Sequence, residues 1–157
     1  MRKLFLNGLA LIAGVISTPV ATISLEFRNL PAERRQDPRL HRLRGFFHDA
    51  APRLEALAPA FVAASEANQL NWTLLPSLSL IESGGNGGRN NNVLGWNNGK
   101  ARFPSVSQGI HSVAKRLRSS PIYRGKNVDQ ILAAYNRDPD YAEKVKSVMR
   151  RIESSGK

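Results

Sequence analysis

The chain has no cysteine. No disulfide framework is available, so a packed core has to hold the fold. Histidines are few, three in all, so no metal centre is expected, and no organic cofactor is implied. Acids are scarce too. Asp and Glu number 12 against 23 Lys and Arg, for a formal charge of +11. They are missing altogether from 83–128, a stretch rich in Asn, Gly, Arg and Lys. A surface of this sign attracts polyanions. No internal repeat divides the chain.

What is present begins with Met1-Arg2-Lys3 and an apolar run to Ile16. This reads as an export signal or an uncleaved anchor over 1–24. The run is short for a membrane span. The expected location is therefore exported, periplasmic or in the cell envelope. The absence of cysteine fits a bacterial envelope. The polyanions expected there are wall polymers and anionic lipid headgroups. Nucleic acid is not expected, since no groove-reading motif is present. Residues 25–37 read as a patternless linker and 38–157 as one domain, long enough for its own core. A monomer is expected.

Within the domain the pattern is helical. Asp37-Pro38 supplies a cap and a first-turn proline, and Leu40, Leu43 and Phe47 follow at helical spacing. An Ala-rich segment, 52–69, reads as a second helix or a kinked pair, because Pro59 cannot sit in a normal helix interior. Ser105 with Gln108, and Asn127 with Gln130, have capping-box spacing. The first opens a helix with Ile110, Val113 and Leu117 inward and Lys115, Arg116 and Arg118 outward. Asp138-Pro139 opens the last, with Tyr141, Val145, Val148 and Ile152 inward.

The central segment, 72–82, is apolar nearly all round and so predicts a buried helix. It ends in one acid, Glu82, followed by Ser83-Gly84-Gly85-Asn86-Gly87-Gly88. Burial and the negative end of the helix dipole would both favour a protonated carboxyl, which is what a general acid needs. The plain alternative is a terminal Glu turned to solvent. Beyond the loop, Val93-Leu94-Gly95-Trp96 and Lys100-Ala101-Arg102-Phe103 flank Asn97-Asn98-Gly99 and predict a short β-hairpin beside the acid. Trp96 and Phe103 are placed either to stack on a ligand ring or to pack that hairpin onto the core. The run Asn90-Asn91-Asn92 either hydrogen-bonds a polar ligand or shapes turns.

Four segments together resemble a known family. Ile81-Glu82-Ser83-Gly84-Gly85, Asn91-Asn92-Val93-Leu94-Gly95-Trp96, 101–110 and Tyr135-Asn136-Arg137-Asp138-Pro139-Asp140-Tyr141-Ala142 resemble, in order, elements of bacterial glucosaminidases of glycoside hydrolase family 73. The resemblance covers about 60–152. It implies a mainly α, lysozyme-like α+β domain with a small β-hairpin lobe, cleaving β-1,4 bonds in the glycan strands of peptidoglycan after N-acetylglucosamine. It assigns Glu82 as general acid and places Tyr135 at the cleft near the scissile bond. Ser83 would orient the acid or the substrate, and Asn92, Trp96, Phe103 and Asn136 would contact substrate. Ala134-Tyr135-Asn136 also resembles an element of lytic transglycosylases, which share the fold and the Glu-Ser pair. A non-catalytic wall-binding module with this fold is the reading from another class.

The chain departs from the family in one respect. Several members take a second acid from the hairpin lobe, and here that lobe has none. Asp129 and Asp138 are alternatives, but each is explained as a helix-start residue. Single-acid chemistry is therefore expected, with the substrate's acetamido oxygen or its 6-hydroxyl as internal nucleophile.

Overall fold

The computed structural model describes residues 31–156 apart from Gly87. The expected export segment and the start of the linker lie outside the described residues. The rest of the linker is partly ordered: α1 (Ala32–Arg35) is one short turn of helix. Arg34 from it pairs with Glu66 at 2.9 Å.

Helix α2 (Pro38–Ala50) starts where its sequence says it should. The Asp37 carboxylate accepts from the Arg39 backbone N–H at 2.8 Å, and Pro38 occupies the first turn. The Arg39 guanidinium closes a second contact with the same carboxylate at 2.7 Å. That hydrogen bond holds the Asp37 carboxyl below the ordinary range. The Ala-rich segment is two helices, α3 (Pro52–Glu55) and α4 (Ala58–Ala67), each with a proline in its first turn. A proline is harmless there because the first-turn N–H groups have no intrahelical partner.

Helix α5 (Leu74–Ser83) runs through the middle of the molecule. It packs against α4 on one side and α8 (Pro139–Ser154) on another. Every residue from 74 to 79 is buried, including Pro76 and the serines between the leucines. The helix begins at Leu74, two residues later than the sequence suggests, because Asn71 turns the chain first by accepting from the Thr73 N–H and hydroxyl. Leu74, Leu75 and Leu78 are fully enclosed and belong to one core with Leu43, Leu54, Phe47 and Phe61. Phe47 and Phe61 pack with ring centroids 5.7 Å apart. Each such side chain contributes about 1.5–3 kcal/mol by leaving water.

Helices α6 (Val106–Ser119) and α7 (Val128–Tyr135) complete the layer, α6 against α4 and α7 against α8. Asn127 and Gln130 form both halves of a capping box. Ser105 supplies only its own half, accepting from the Gln108 N–H at 3.2 Å. The inward residues are those the periodicity picks out: Ile110, Val113 and Leu117 in α6, and Tyr141, Val145, Val148 and Ile152 in α8.

The molecule is mainly α, as expected, but the β-hairpin is not formed. No strand occurs among the described residues. Residues 89–103 make a 3₁₀ turn (Arg89–Asn91) followed by further turns. Asn97 and Asn98 both have left-handed backbone, and Gly99 follows suit. Two left-handed residues would suit a two-residue hairpin turn, but the third, with Gly99 N–H bonded back to Gly95 O at 2.8 Å, makes a wider loop. One backbone bond, from Ala101 N–H to Trp96 O, crosses it at 3.3 Å. The bonds a neighbouring strand would make to Trp96 come instead from the Asn92 side chain. Its amide accepts from Trp96 N–H at 2.9 Å and donates to Trp96 O at 3.0 Å.

Candidate active site

The end of α5, the 89–103 loop, α6, Tyr123 and the end of α7 with the turn after it surround an open cleft of about 1020 Å³. Glu82 projects into it from the last turn of α5. Glu82 as a residue is exposed. The burial expected from an all-apolar helix therefore stops short of it: α5 is enclosed to Ser79 and opens over its last turn.

The carboxylate is nonetheless held. Tyr141, in the first turn of α8, donates its hydroxyl to Glu82 Oε1 at 2.7 Å. On the other side, Gly95 lies against the Oε2 edge, so close that a Cβ there would overlap the carboxyl group. Gly95 also has φ +61°, which an L side chain rarely adopts. The loop can approach the acid only because residue 95 is glycine.

Four aromatic rings form a continuous line; Tyr123, Trp96 and Tyr135 line the cleft, and Tyr141 at the end of the line is buried. Tyr123 meets Trp96 at 6.0 Å, Trp96 meets Tyr135 edge-on at 6.0 Å, and Tyr135 stacks on Tyr141 at 6.1 Å. The Arg116 guanidinium lies 5.8 Å from the Trp96 ring centre, a cation–π distance. The Tyr135 hydroxyl donates to the Leu94 carbonyl, which ties α7 to the loop. Burial and the nearby Glu82 charge push the ionisation of Tyr135 above the ordinary phenol range, and burial with the bond to Glu82 does the same for Tyr141. Both remain protonated donors across the physiological range.

The structure brings Glu82, Trp96, Phe103, Tyr135 and Asn136 to one cleft. Asn136 lines it while accepting from the Asp138 N–H at 3.0 Å, which fixes its amide at the α7–α8 corner. Phe103 is wedged against Gly109 of α6, where a Cβ would come within 2.9 Å of the ring. Trp96 and Phe103 thus pack against the core and also line the cleft.

Ser83 and Asn92 are not among the lining residues. The Ser83 hydroxyl donates to the Ser79 carbonyl one turn back at 2.7 Å. Asn92 is buried and spends its amide on Trp96. Their polar groups maintain the helix end and the loop. Asp129 pairs with Lys146 at 3.1 Å, and Asp138 caps α8 through Asp140 N–H at 3.0 Å. Neither lines the cleft, where Glu82 is the only acid among the described residues. No cluster of potential metal ligands occurs among them either.

Sequence reasoning missed Tyr123 and Arg116 as cleft residues and Tyr141 as the partner of Glu82. Tyr141 was legible only as an inward position of α8. Its spacing from Asp138 puts it in the first turn, and α5 happens to end opposite that turn. Compared with known proteins, the chain matches no protein-family model, no curated protein and no solved structure.

Proposed function

We propose that this protein is a glycosidase of lysozyme-like architecture that cleaves the glycan strands of peptidoglycan in the cell envelope, with Glu82 as its one general acid. The observation that carries the reading is a single carboxylate, braced by a tyrosine hydroxyl, in an open cleft walled by aromatic rings. Sugar faces stack on such rings, and a strand of pyranoses needs an open cleft rather than a closed pocket.

With one acid, the second carboxylate of a two-acid glycosidase is replaced by the substrate. Glu82 gives its proton to the leaving glycosidic oxygen. The acetamido oxygen of the same sugar attacks the anomeric carbon and forms a cyclic oxazolinium. Glu82, now ionised, takes a proton from water as that water opens the ring. Tyr141 keeps Oε1 in place, so the proton-transferring oxygen is Oε2, which borders Gly95. The Tyr135 hydroxyl has given its hydrogen to Leu94, but its oxygen can still accept. An acetamido N–H donating to that oxygen would leave the acetamido carbonyl turned toward the anomeric carbon.

The lack of a second acid equally favours a lytic transglycosylase. There the 6-hydroxyl of muramic acid closes an anhydro ring, and the ionised Glu82 removes its proton. Mass spectrometry of fragments released from purified peptidoglycan separates these outcomes. Reducing-end N-acetylglucosamine identifies a hydrolase of the glucosaminidase type, and anhydromuramyl ends identify a transglycosylase. No fragments from a folded protein would leave a wall-binding module.

A further inference from the structure

Arg102, Arg116 and Arg137 all line the cleft and all are exposed. None forms an ion pair among the described residues. The ion pairs formed by Asp37, Glu55, Glu66 and Asp129 are with Arg34, Arg39, Arg44, His48 and Lys146, none of which lines the cleft. The one acid in the cleft is engaged by Tyr141. The Arg116 guanidinium carbon lies over the Trp96 ring, 5.8 Å from its centre. The stretch that carries Arg102 and Arg116, 83–128, contributes no acid at all. A neutral sugar chain would need no such arrangement. Exposed guanidinium forks without partners match planar oxyanions, above all carboxylates, which they hold through two parallel hydrogen bonds.

We propose that the cleft selects a glycan strand that carries carboxylates. Arg102 and Arg137 pair with those carboxylates while Arg116 backs the Trp96 platform. The inference rests on the glycan-cleaving reading above. On such a strand the carboxylate has two sources. One is the lactyl group of muramic acid, free only where the peptide has been removed. The other is the peptide stem itself.

The test measures binding of the full chain to peptide-free strands, to peptide-bearing strands, to each of these with its carboxyls converted to methylamides, and to a neutral N-acetylglucosamine oligomer. Blocking the carboxyls of the recognised strand should weaken binding at least about ten-fold, the loss of one charge-assisted pair. Whichever strand shows the loss identifies the source. The double variant Arg102→Gln/Arg137→Gln should bring that ratio close to one, and Arg102→Lys/Arg137→Lys should restore part of it by returning charge without the fork. Melting temperatures of the variants check the fold. Equal binding of free and blocked strands would overturn the anion preference while leaving the glycan reading intact. So would a ratio that survives in the Gln variant, since the charge would then be read elsewhere on the surface. Binding to polyglutamate with none to any glycan would sink the glycan reading itself.

Discussion

At the scale of single residues, the acid and its brace make separable predictions. A general acid contributes roughly a hundred- to ten-thousand-fold in rate. Glu82→Gln keeps the shape and removes the transferable proton, so turnover of purified peptidoglycan should fall by that order with an unchanged melting temperature. Tyr141→Phe keeps the stacked ring beside Tyr135 and loses only the bond to Oε1. Its expected effect is a drop of about ten-fold or more in kcat with little change in KM, the cost of one hydrogen bond to a charged group. If kcat stays level while stability drops, Tyr141 serves the fold and not the acid. Gly95→Ala should be worse than either for its size, because the added methyl meets the carboxyl group from a strained backbone.

At the scale of elements, the helices were readable and the loop was not. Helices announce themselves through caps and repeating apolar positions, and Asp37, Asn127 and Asp138 cap where the sequence places them. The 89–103 loop is written in a different way. Asn92 does the work of a neighbouring strand with a side chain, and Asn97 and Asn98 take left-handed backbone that composition alone reads as a hairpin turn. Glu82 was legible because it is the sole acid beside a glycine loop. Its partner was not, since the bond to Tyr141 joins residues 59 apart in the chain. Two substitutions contrast the kinds of element. Leu78→Ala opens a cavity in the centre of α5 and should cost about 2–5 kcal/mol in chemical denaturation. Asn92→Ala should cost less globally, about 1–3 kcal/mol for the Trp96 N–H left without its partner and the carbonyl left with Ala101 alone. It should reduce substrate affinity more than Leu78→Ala does, because Trp96 and the rest of the cleft wall hang from it.

At the scale of the whole molecule, titration bounds the stable range from both sides. The carboxyls of Asp37 and Glu55 are held low, by Arg39 and by His48 with Arg44 respectively. Groups depressed in the folded state stabilise it above their unfolded value near 4, and that contribution is lost as pH falls below it. All three tyrosines are shifted the other way, chiefly by burial. A raised group stabilises fully below its unfolded value near 10, and the contribution is lost as pH climbs beyond it. Ultraviolet titration should therefore show tyrosine ionisation arriving together with loss of helical circular dichroism. A normal phenol titration in a still-folded chain would contradict the buried line of rings. With a net charge of +11, retention on intact cell walls should weaken as salt shortens the screening length below about 8 Å. Retention that ignores salt would mean that sugar contacts alone hold the protein there.

The line of rings has one more consequence. The chain has two tryptophans, and Trp96 sits between two tyrosines and an arginine on the cleft wall. Excited tyrosines at that distance pass energy to the indole, and a sugar settling on the wall would displace water from it and shift the guanidinium above it. Under the proposed reading, the molecule would carry its own fluorescent reporter of occupancy. Trp96→Phe should silence the signal, leaving only the steady emission of Trp72.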